Sequence, residues 1–387
     1  IMASGSAKVS IENAKLYSSG ANRSPLFVGG HGTVHVSESK IEVQNGPENA
    51  DGSGGIKDSP WHLGITGNCR AVNVVESGSV YFTNTQIKSQ GWGALSTDSA
   101  EKIRLTATGC LIETVESGYG ACSTGNGVHT YSGCTFNVAD YGVIIGGDAI
   151  HTITNRTILN SEKIGIMMHT GTGKGRLVIE KGSMCNTKGT VIQVKGRGAD
   201  ILVDGAILNT ERGVLLQSMP NDDPFFVAGI DDGKGARSPG GDVNAVFKNT
   251  VLQGDIINSH TAVSRLNLTF ENATITGAVT TGAAEQPTGP DGERLSRETP
   301  ELYHLIGQTR NTYCAMPEDP HGLSVSLDEK SSWIVDTTSY LTHLYIARNR
   351  SVTAPYGYRV AMTVDGAVTH LNAGTYDGDI VLTVTKL

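Results

Sequence analysis

The stretch VYFTNTQIKSQGWGALSTDSAEKIRLTATGCL, residues 80–111, contains the two elements from which most of the chain is built. It begins and ends with copies of one phrase, apolar-x-apolar-x-Asn/Gly-x-x-apolar, at residues 80–87 and 103–111. Alternation of apolar and polar residues is typical of a half-buried β-strand, and Asn or Gly favours a turn. Between the two copies, a second strand opens at Gly93. The stretch therefore predicts short strands joined by tight turns.

The same two elements recur along the chain. Further copies of the phrase lie at 9–16, 34–41, 201–208, 245–252 and 268–275, with looser copies at 129–136, 152–159 and 177–184. The second strand opens at Gly93, Gly120, Gly142, Gly165, Gly189 and Gly213, at spacings of 27, 22, 23, 24 and 24 residues. A fixed period in this range is the signature of a solenoid. A helical i, i+3, i+4, i+7 stripe is missing, so we expect an all-β chain.

A coil of this length, with two or three short strands and Gly/Asn turns, resembles a rung of the right-handed parallel β-helix of the pectin-lyase-like superfamily. The resemblance covers about residues 5–285. It implies a β-helix solenoid with sites on its outer face, and most of the enzymes concerned act on acidic polysaccharides by proton transfer. Adhesins and phage tailspikes share the shape, so the resemblance implies a fold more directly than a function.

Breaks in the repeat predict the domain organisation. We expect a parallel β-helix over residues 1–282, with inserted loops at 45–68 and 218–242. Residues 283–322, rich in Pro, Glu and Arg, are expected to form a linker or a surface excursion. Short strands resume over 323–387, which we interpret as a C-terminal β cap or as continued coils. A cap is expected because the end of a solenoid exposes unpaired strand edges.

Composition excludes several classes of protein. The chain has 387 residues, 49 of them Gly, with 18% charged residues and a net charge of −8. So little charge excludes a coiled coil, and so much apolar sequence argues against disorder. Acidity without a basic cluster makes nucleic acid an unexpected partner. Since no apolar run approaches 18 residues, we expect no membrane span.

The six cysteines and the first residues say little about compartment or cofactors. The cysteines form no CxxC pair, so we expect no metal site, no disulfide framework and no cofactor. The first residues, Ile-Met-Ala-Ser-Gly, do not form a signal peptide. Analogy with exported β-helix proteins slightly favours an extracellular or cell-surface location, and the compartment stays open.

The Gly-opened strands carry apolar residues at both odd and even positions, as in Leu95, Met167 and Leu215. A strand that is apolar on both sides is covered on both sides. The solenoid interior covers one face, and the two inserted loops or a bound ligand are candidates to cover the other. Packing of these apolar columns in a homo-oligomer is an alternative.

Aligning these strands at their glycines gathers polar residues into one groove. The candidate catalytic residues are Asp98 and His169 as base or acid, with Lys195 and Arg70 as stabilisers of negative charge. The alignment puts Arg70 in the same column as Asp148 and Lys195. Adjacent coils lie about 4.8 Å apart, so such a groove would fit a sugar ring. The candidate substrate contacts are Trp61, His62, Trp92, Tyr119, Tyr141, Asn126, Asp148, Gln193, Gln217 and Phe225.

Each candidate has a structural alternative. The aromatic residues before glycines also suit turn packing, His169 suits a half-buried structural histidine, and Asp98 suits a turn cap. The phrase GGHG at 29–32 is similar to the Gly-His-Gly of polygalacturonase-like hydrolases, but it precedes any carboxylate pair. The pair Asp222-Asp223 lies in an insert after Pro220, outside a coil strand.

Two functions follow from this sequence. The first is an enzyme that binds a carbohydrate or another polar ring compound in the groove and acts by proton transfer, as a lyase, an isomerase or epimerase, or a glycosidase. The second is a non-catalytic, adhesin-like surface or structural protein. Its partner in the first case is a small-molecule or carbohydrate ligand.

Overall fold

The computed structural model describes residues 1–47, 63–171, 173–196, 198–223, 241–295 and 299–387. Of these described residues, 59% lie in strands and 2% in helix. The strands stack in parallel as a solenoid of about ten turns. This confirms the predicted all-β parallel β-helix. Each turn of the solenoid contributes one strand to each of three faces.

The first face holds the Gly-opened strands, which pair in parallel from coil to coil. Its strands, numbered in chain order, are β1 (Met2–Ala3), β4 (Leu26–Val28), β7 (Arg70–Val75), the first part of β10 (Gly93–Thr108), the first part of β12 (Tyr119–Ser132), β14 (Tyr141–Gly146), β17 (Ile164–Gly171), β20 (Ile192–Gly196), β23 (Val214–Met219), β26 (Asp255–Asn258) and β29 (Val279–Glu285).

The second face holds the first half of the repeated phrase. Its strands are β2 (Lys8–Glu12), β5 (Thr33–Ser37), β8 (Ser79–Thr83), the second parts of β10 and β12, β15 (Ile150–Thr154), β18 (Gly175–Ile179), β21 (Ala199–Asp204), β24 (Val243–Lys248), β27 (Leu266–Glu271), β31 (Leu323–Leu327) and β33 (Ser339–Ile346). Because β10 and β12 run through the corner, they join the first two faces into one hydrogen-bonded sheet.

The third face holds the end of the phrase. Its strands are β3 (Lys15–Ser19), β6 (Lys40–Gln44), β9 (Gln86–Ser89), β11 (Leu111–Thr114), β13 (Thr135–Val138), β16 (Ile158–Ser161), β19 (Met184–Thr187), β22 (Ile207–Thr210), β25 (Val251–Gln253), β28 (Thr274–Thr276), β32 (Ser332–Ile334) and β34 (Val352–Thr353). Side-chain amides continue the pairing outside this face, as where Asn160 donates to Asn137 at 2.9 Å.

The turn between the second and third faces explains the repeated phrase. Asn13, Asn84, Asn249 and Asn272 all have φ between 47° and 51° there. Gly133 takes the same role with φ 63°. Left-handed backbone is accessible mainly to Gly and to Asn, so most coils carry one of them at this point. Glu38 takes the same position between β5 and β6 with φ 48°.

The interior of the solenoid is an unbroken stack of apolar side chains. On the first face, one column in register runs through Leu95, Ala121, Val143, Ile166 and Ile192. All five are buried. Apolar residues that repeat at one position of every coil therefore form one continuous core along the axis.

The C-terminal residues cover the last coil. Strand β33 pairs in parallel with β31 and antiparallel with β37 (Gly374–Lys386). Strand β37 also pairs with β35 (Tyr358–Val364), which forms a hairpin with β36 (Ala367–Thr369). The final parallel strand thus has an antiparallel partner, which confirms the predicted C-terminal β capping region.

Candidate functional site

The outer side of the first face is covered by other parts of the chain. We call these parts the cover: residues 63–65, residues 221–223 and residues 299–311, the last including a 3₁₀-helix at Pro300–Leu305. The carbonyl of Leu63 accepts hydrogen bonds from Tyr141 Oη at 2.7 Å and Lys163 Nζ at 3.3 Å. Gln193 Nε2 donates to the carbonyl of Gly307 at 2.9 Å. The strands of the first face are therefore buried on both sides, as predicted. Residues 299–311 form part of the covering layer.

The three aromatic residues that precede glycines pack under this cover. Trp92, Tyr119 and Tyr141 form one buried cluster with Leu63 and Ile65. Burial raises the pKa of Tyr141 well above its usual value. Their side chains therefore pack against other parts of the chain. Met167 belongs to the same cluster, so the apolar residues considered for a homo-oligomer are buried within the chain itself.

Two glycines allow close approach beneath the cover. A Cβ atom on Gly93 would lie 2.1 Å from the ring of Tyr119, and one on Gly64 would lie 2.1 Å from the carbonyl oxygen of Tyr303. Gly64 also has φ +73°, which other residues rarely adopt. The glycine that opens β10 is therefore needed because an aromatic ring of the next coil lies against it.

A buried cluster of ionisable groups joins the sheet to the cover. Lys195 Nζ lies 2.5 Å from Asp222 Oδ1 and 3.2 Å from Asp223 Oδ1, and the lysine is 0% exposed. Asp223 Oδ2 lies 2.7 Å from Nε2 of His169, whose side chain is 9% exposed. Asp222 Oδ2 accepts a hydrogen bond from the backbone N–H of Gly307 at 2.7 Å. Two strands and two segments of the cover thus meet at one carboxylate pair.

The carboxylate pair sets the protonation of the lysine. Burial alone would lower the pKa of Lys195, but Asp222 and Asp223 outweigh it and raise that pKa above its usual value. Lys195 is therefore a permanent cation in the neutral range. A buried cation paired in this way satisfies the requirement that buried charges have partners.

A second polar cluster lies near the start of the sheet. The guanidinium of Arg70 forms an ion pair with Asp98, whose side chain is 33% exposed. The same guanidinium lies 4.3 Å from the ring centroid of Trp92. Tyr119 Oη and Ser96 Oγ share a hydrogen bond of 2.7 Å beside it. This pair is more accessible to solvent than the lysine cluster.

The strand register corrects the predicted column for Arg70. Arg70 is opposite Gly93 at the beginning of its strand, whereas Lys195 is opposite His169 near the end of its strand. The alignment treated Gly64 as the start of this coil and was wrong, because Arg70 lies six residues after Gly64 but is opposite Gly93 itself.

The register pairs two candidate catalytic residues, His169 and Lys195, and Asp98 lies at the corresponding end of a strand three coils from His169. Thr97, Ser123, Ile145, Met168 and Val194 are in register on five successive strands. The residues that follow them are Asp98, Thr124, Gly146, His169 and Lys195, which we call the edge column.

The edge column changes from buried to open along the solenoid. Lys195 is buried, His169 and Gly146 are half-buried, and Thr124 is exposed. Asp98 and His169 are three coils apart, or about 14 Å at the usual strand spacing. The structure thus places an imidazole–carboxylate pair and an arginine–carboxylate pair at the two ends of a short open strip. That separation exceeds one sugar ring.

The remaining candidates have mixed surroundings. Asn126 is exposed within strand β12, where that strand runs through the corner, and Asp148 is exposed in the turn after β14. Asp148 Oδ1 accepts the N–H of Lys174 at 2.7 Å. Gln193 and Gln217 are fully buried and hold the cover, with Gln217 Nε2 donating to Asn311 Oδ1 at 2.8 Å. Trp61, His62 and Phe225 lie outside the described residues.

Sequence reasoning missed Asp222 and Asp223 as members of this site. The sequence feature that could have identified them is an acidic pair shortly after strand β23, in an insert that belongs to no coil. A lysine on the apolar Gly-opened face was the second half of the signal, because a cation buried there needs a carboxylate partner.

Neither a family model, nor a curated protein, nor a solved structure matches the chain. Within the described residues, no group of three or more His, Cys, Asp or Glu side chains is arranged to hold a metal ion. Within the same residues, no helix is long and apolar enough to cross a membrane.

Proposed function

We propose that this protein is an enzyme that binds a carbohydrate or a similar polar ring compound along the edge column and acts on it by proton transfer. The observation that carries the proposal is the 2.7 Å contact between His169 Nε2 and Asp223 Oδ2 at the boundary between the buried cluster and the open strip. A carboxylate on one ring nitrogen fixes the orientation and tautomer of an imidazole.

In this proposal His169 is the general base or acid, and Asp223 orients it. Lys195 is a positioning residue, since it is fully buried and contacts the two carboxylates. Asp98 and Arg70 bind a polar group of the ligand at the other end of the strip. A lyase or isomerase that removes a proton next to a carboxylate is the reaction type that one imidazole suits best.

The test compares His169→Asn and Asp98→Asn with two matched controls. His35→Asn alters an exposed histidine on the second face, and Asp200→Asn alters an exposed, ion-paired aspartate there. Turnover is screened on acidic and neutral oligosaccharides and on their monosaccharides. We expect His169→Asn to lower kcat by about 10²-fold or more and Asp98→Asn to raise KM, with both controls unchanged.

A non-catalytic, adhesin-like role is the second candidate. It is favoured by the complete burial of Lys195 and Asp223, because a buried ion cluster is sufficient to anchor the cover. Under this role, His169→Asn changes the melting temperature and no substrate in the panel is turned over by the wild-type protein. That pair of results would refute the proposed enzyme.

A further inference from the structure

Two buried histidines face the interior of the solenoid on its second face. His129 lies on β12, and His151 lies opposite it on the neighbouring strand β15. The two residues are 1% and 0% exposed. Their rings stack, with centroids 4.2 Å apart and an angle of 11° between the ring planes. Two imidazoles are therefore part of the core of the solenoid.

The other coils carry an aliphatic residue at this position. The strand register extends the column in both directions from the two histidines. Its other members are Val9, Val34, Val80, Leu105, Leu177, Ile201, Ala245, Leu268, Val325 and Leu344. The histidines thus break the pattern that builds the rest of the core. Departures of this kind are expected where a sequence serves a function besides folding.

The hydrogen bonds of the pair suit neutral rings. His151 Nε2 lies 2.8 Å from Ser123 Oγ, and its Nδ1 lies 3.3 Å from Tyr131 Oη. A hydroxyl group can donate or accept, so neutral His151 has a partner at both nitrogens. His129 Nε2 is buried without a hydrogen-bond partner among the described residues. A proton on that atom would need an acceptor that this part of the core does not offer.

The elements packed around the pair bring no charge to it. On the flanking coils, the column continues with Leu105 on β10 and Leu177 on β18. From the third face, Phe136 packs edge-on against Tyr131, whose ring centroid lies 5.8 Å from that of His151. The nearby titratable groups among the described residues have raised pKa values and are neutral at pH 7: Tyr131, Cys122 and Cys134.

Protonation of the pair is unfavourable while the core is closed. Burial lowers the pKa of His129 to about 3. Burial and the neighbouring His129 lower the pKa of His151 well below its usual value. In an opened chain, both rings return to a pKa of about 6.5. The stability that the neutral pair contributes is therefore fully present above about pH 6.5 and is lost as the pH falls from 6.5 towards 3.

We propose that the histidine pair is an acid-operated switch that opens the coils of β12 and β15 when the surroundings become mildly acidic. These coils carry the middle of the edge column. Ser123, which bonds to His151, precedes Thr124 of that column, and Gly146 on β14 is its next member. The switch rests on the core alone and does not depend on the proposed enzymatic function.

The size of the effect follows from the difference in protonation between the open and closed states. From pH 7 to pH 5, one imidazole that titrates at about 6.5 when exposed and stays neutral when buried raises the open population about 25-fold. Two such imidazoles raise it about 600-fold. Most carboxylates remain ionised over this range, since their usual pKa values are about 4. The interval between pH 7 and pH 5 therefore isolates the histidines.

Hydrogen exchange measured by mass spectrometry at pH 7 and pH 5 tests the switch. Each rate is expressed as a protection factor, which removes the intrinsic pH dependence of amide exchange. We expect the protection of the amides of β12 and β15 to fall about 600-fold in the wild type and about 25-fold in His129→Leu. Because coils of a solenoid can open locally, the amides of β27 and β31 should change little and serve as the internal reference.

Two variants keep the test independent of folding. His129→Leu restores the residue of the adjacent coils and removes no hydrogen bond from Nε2, so it should be at least as well protected as the wild type at pH 7. His151→Gln keeps polar groups near Ser123 and Tyr131 but does not titrate, so its protection should also fall only about 25-fold.

His35→Leu is the matched control. His35 also stacks on an aromatic ring, that of Tyr81 at 4.7 Å, but it lies on the exposed outer side of the second face. Its variant should show the wild-type fall in protection. Equal falls in the wild type, His129→Leu and His151→Gln would overturn the role of the pair. An equal fall in β27 and β31 would overturn the local opening, and constant protection of β12 and β15 in the wild type would overturn the switch itself.

Discussion

Replacing Lys195 with Met tests how the cover is attached to the solenoid. The substitution leaves Asp222 and Asp223 buried without the ammonium group that lies 2.5 and 3.2 Å from them. Removing one partner of a buried ion pair costs about 3–5 kcal/mol, because the remaining charge is uncompensated. With an unfolding entropy of about 2.1 cal/mol/K per residue, a chain of this length should melt about 4–6 °C lower.

The effect should also depend on pH in a defined direction. The two aspartates raise the pKa of Lys195 above its value in the unfolded chain. The stability that this lysine contributes is therefore fully present below about pH 10.4, the usual lysine value, and is lost as the pH rises through the higher folded value. The gap in melting temperature between the wild type and Lys195→Met should be constant near neutral pH and narrow in strong alkali.

Differential scanning calorimetry measures the melting temperature, and hydrogen exchange at the amide of Gly307 reports the local attachment. That amide donates to Asp222 at 2.7 Å, so it should exchange faster in the variant. The control is Lys248→Met, which breaks an ion pair that is 43% exposed on both sides and should cost about 1 kcal/mol or less. If Lys195→Met melts within about 1 °C of the wild type, the ion cluster does not hold the cover.

Three further predictions concern packing and reactivity. Gly64→Ala puts a Cβ atom 2.1 Å from the carbonyl oxygen of Tyr303, so melting should fall by at least about 2 °C, and an unchanged melting temperature would contradict this contact. Trp333→Ala empties a fully buried position on strand β32 and should cost about 3–5 kcal/mol in denaturant unfolding; a cost below about 1 kcal/mol would mean that the site is not packed. Burial raises the pKa of Cys69 and Cys185 to about 12, so neither thiol should react with a maleimide at pH 7 until the chain unfolds, as peptide mapping would reveal.

The coil could be predicted from the sequence because its determinants are local. Asn84 and Gly133 mark turns that need left-handed backbone, and the apolar residues before them alternate with period two. The covered face could also be predicted, since Met167 and Leu95 give one strand family apolar residues at both parities. What remained open was the identity of the covering residues.

The strand register was harder to predict than the strands. A glycine marks the approach to each first-face strand, but it does not fix the number of residues between the turn and the first paired residue. Ile166 follows Gly165 by one residue, whereas its partner Ile192 follows Gly189 by three residues. Because coils stack residue by residue, a shift of two residues changes which polar groups become neighbours. For Arg70 the shift is six residues, since it lies six residues after Gly64 but opposite Gly93.

The site depends on contacts that no periodic pattern records. Gln193 binds Gly307 across 114 residues of sequence, and Arg212 binds Thr309 across 97. In a bare solenoid each coil contacts only its neighbours, so its stability is a sum of local terms. Here one segment binds side chains on two successive Gly-opened coils and, through Asp222, reaches a third attachment at Lys195. The cover therefore links several coils into one cooperative unit, and the edge column lies along the border of that unit.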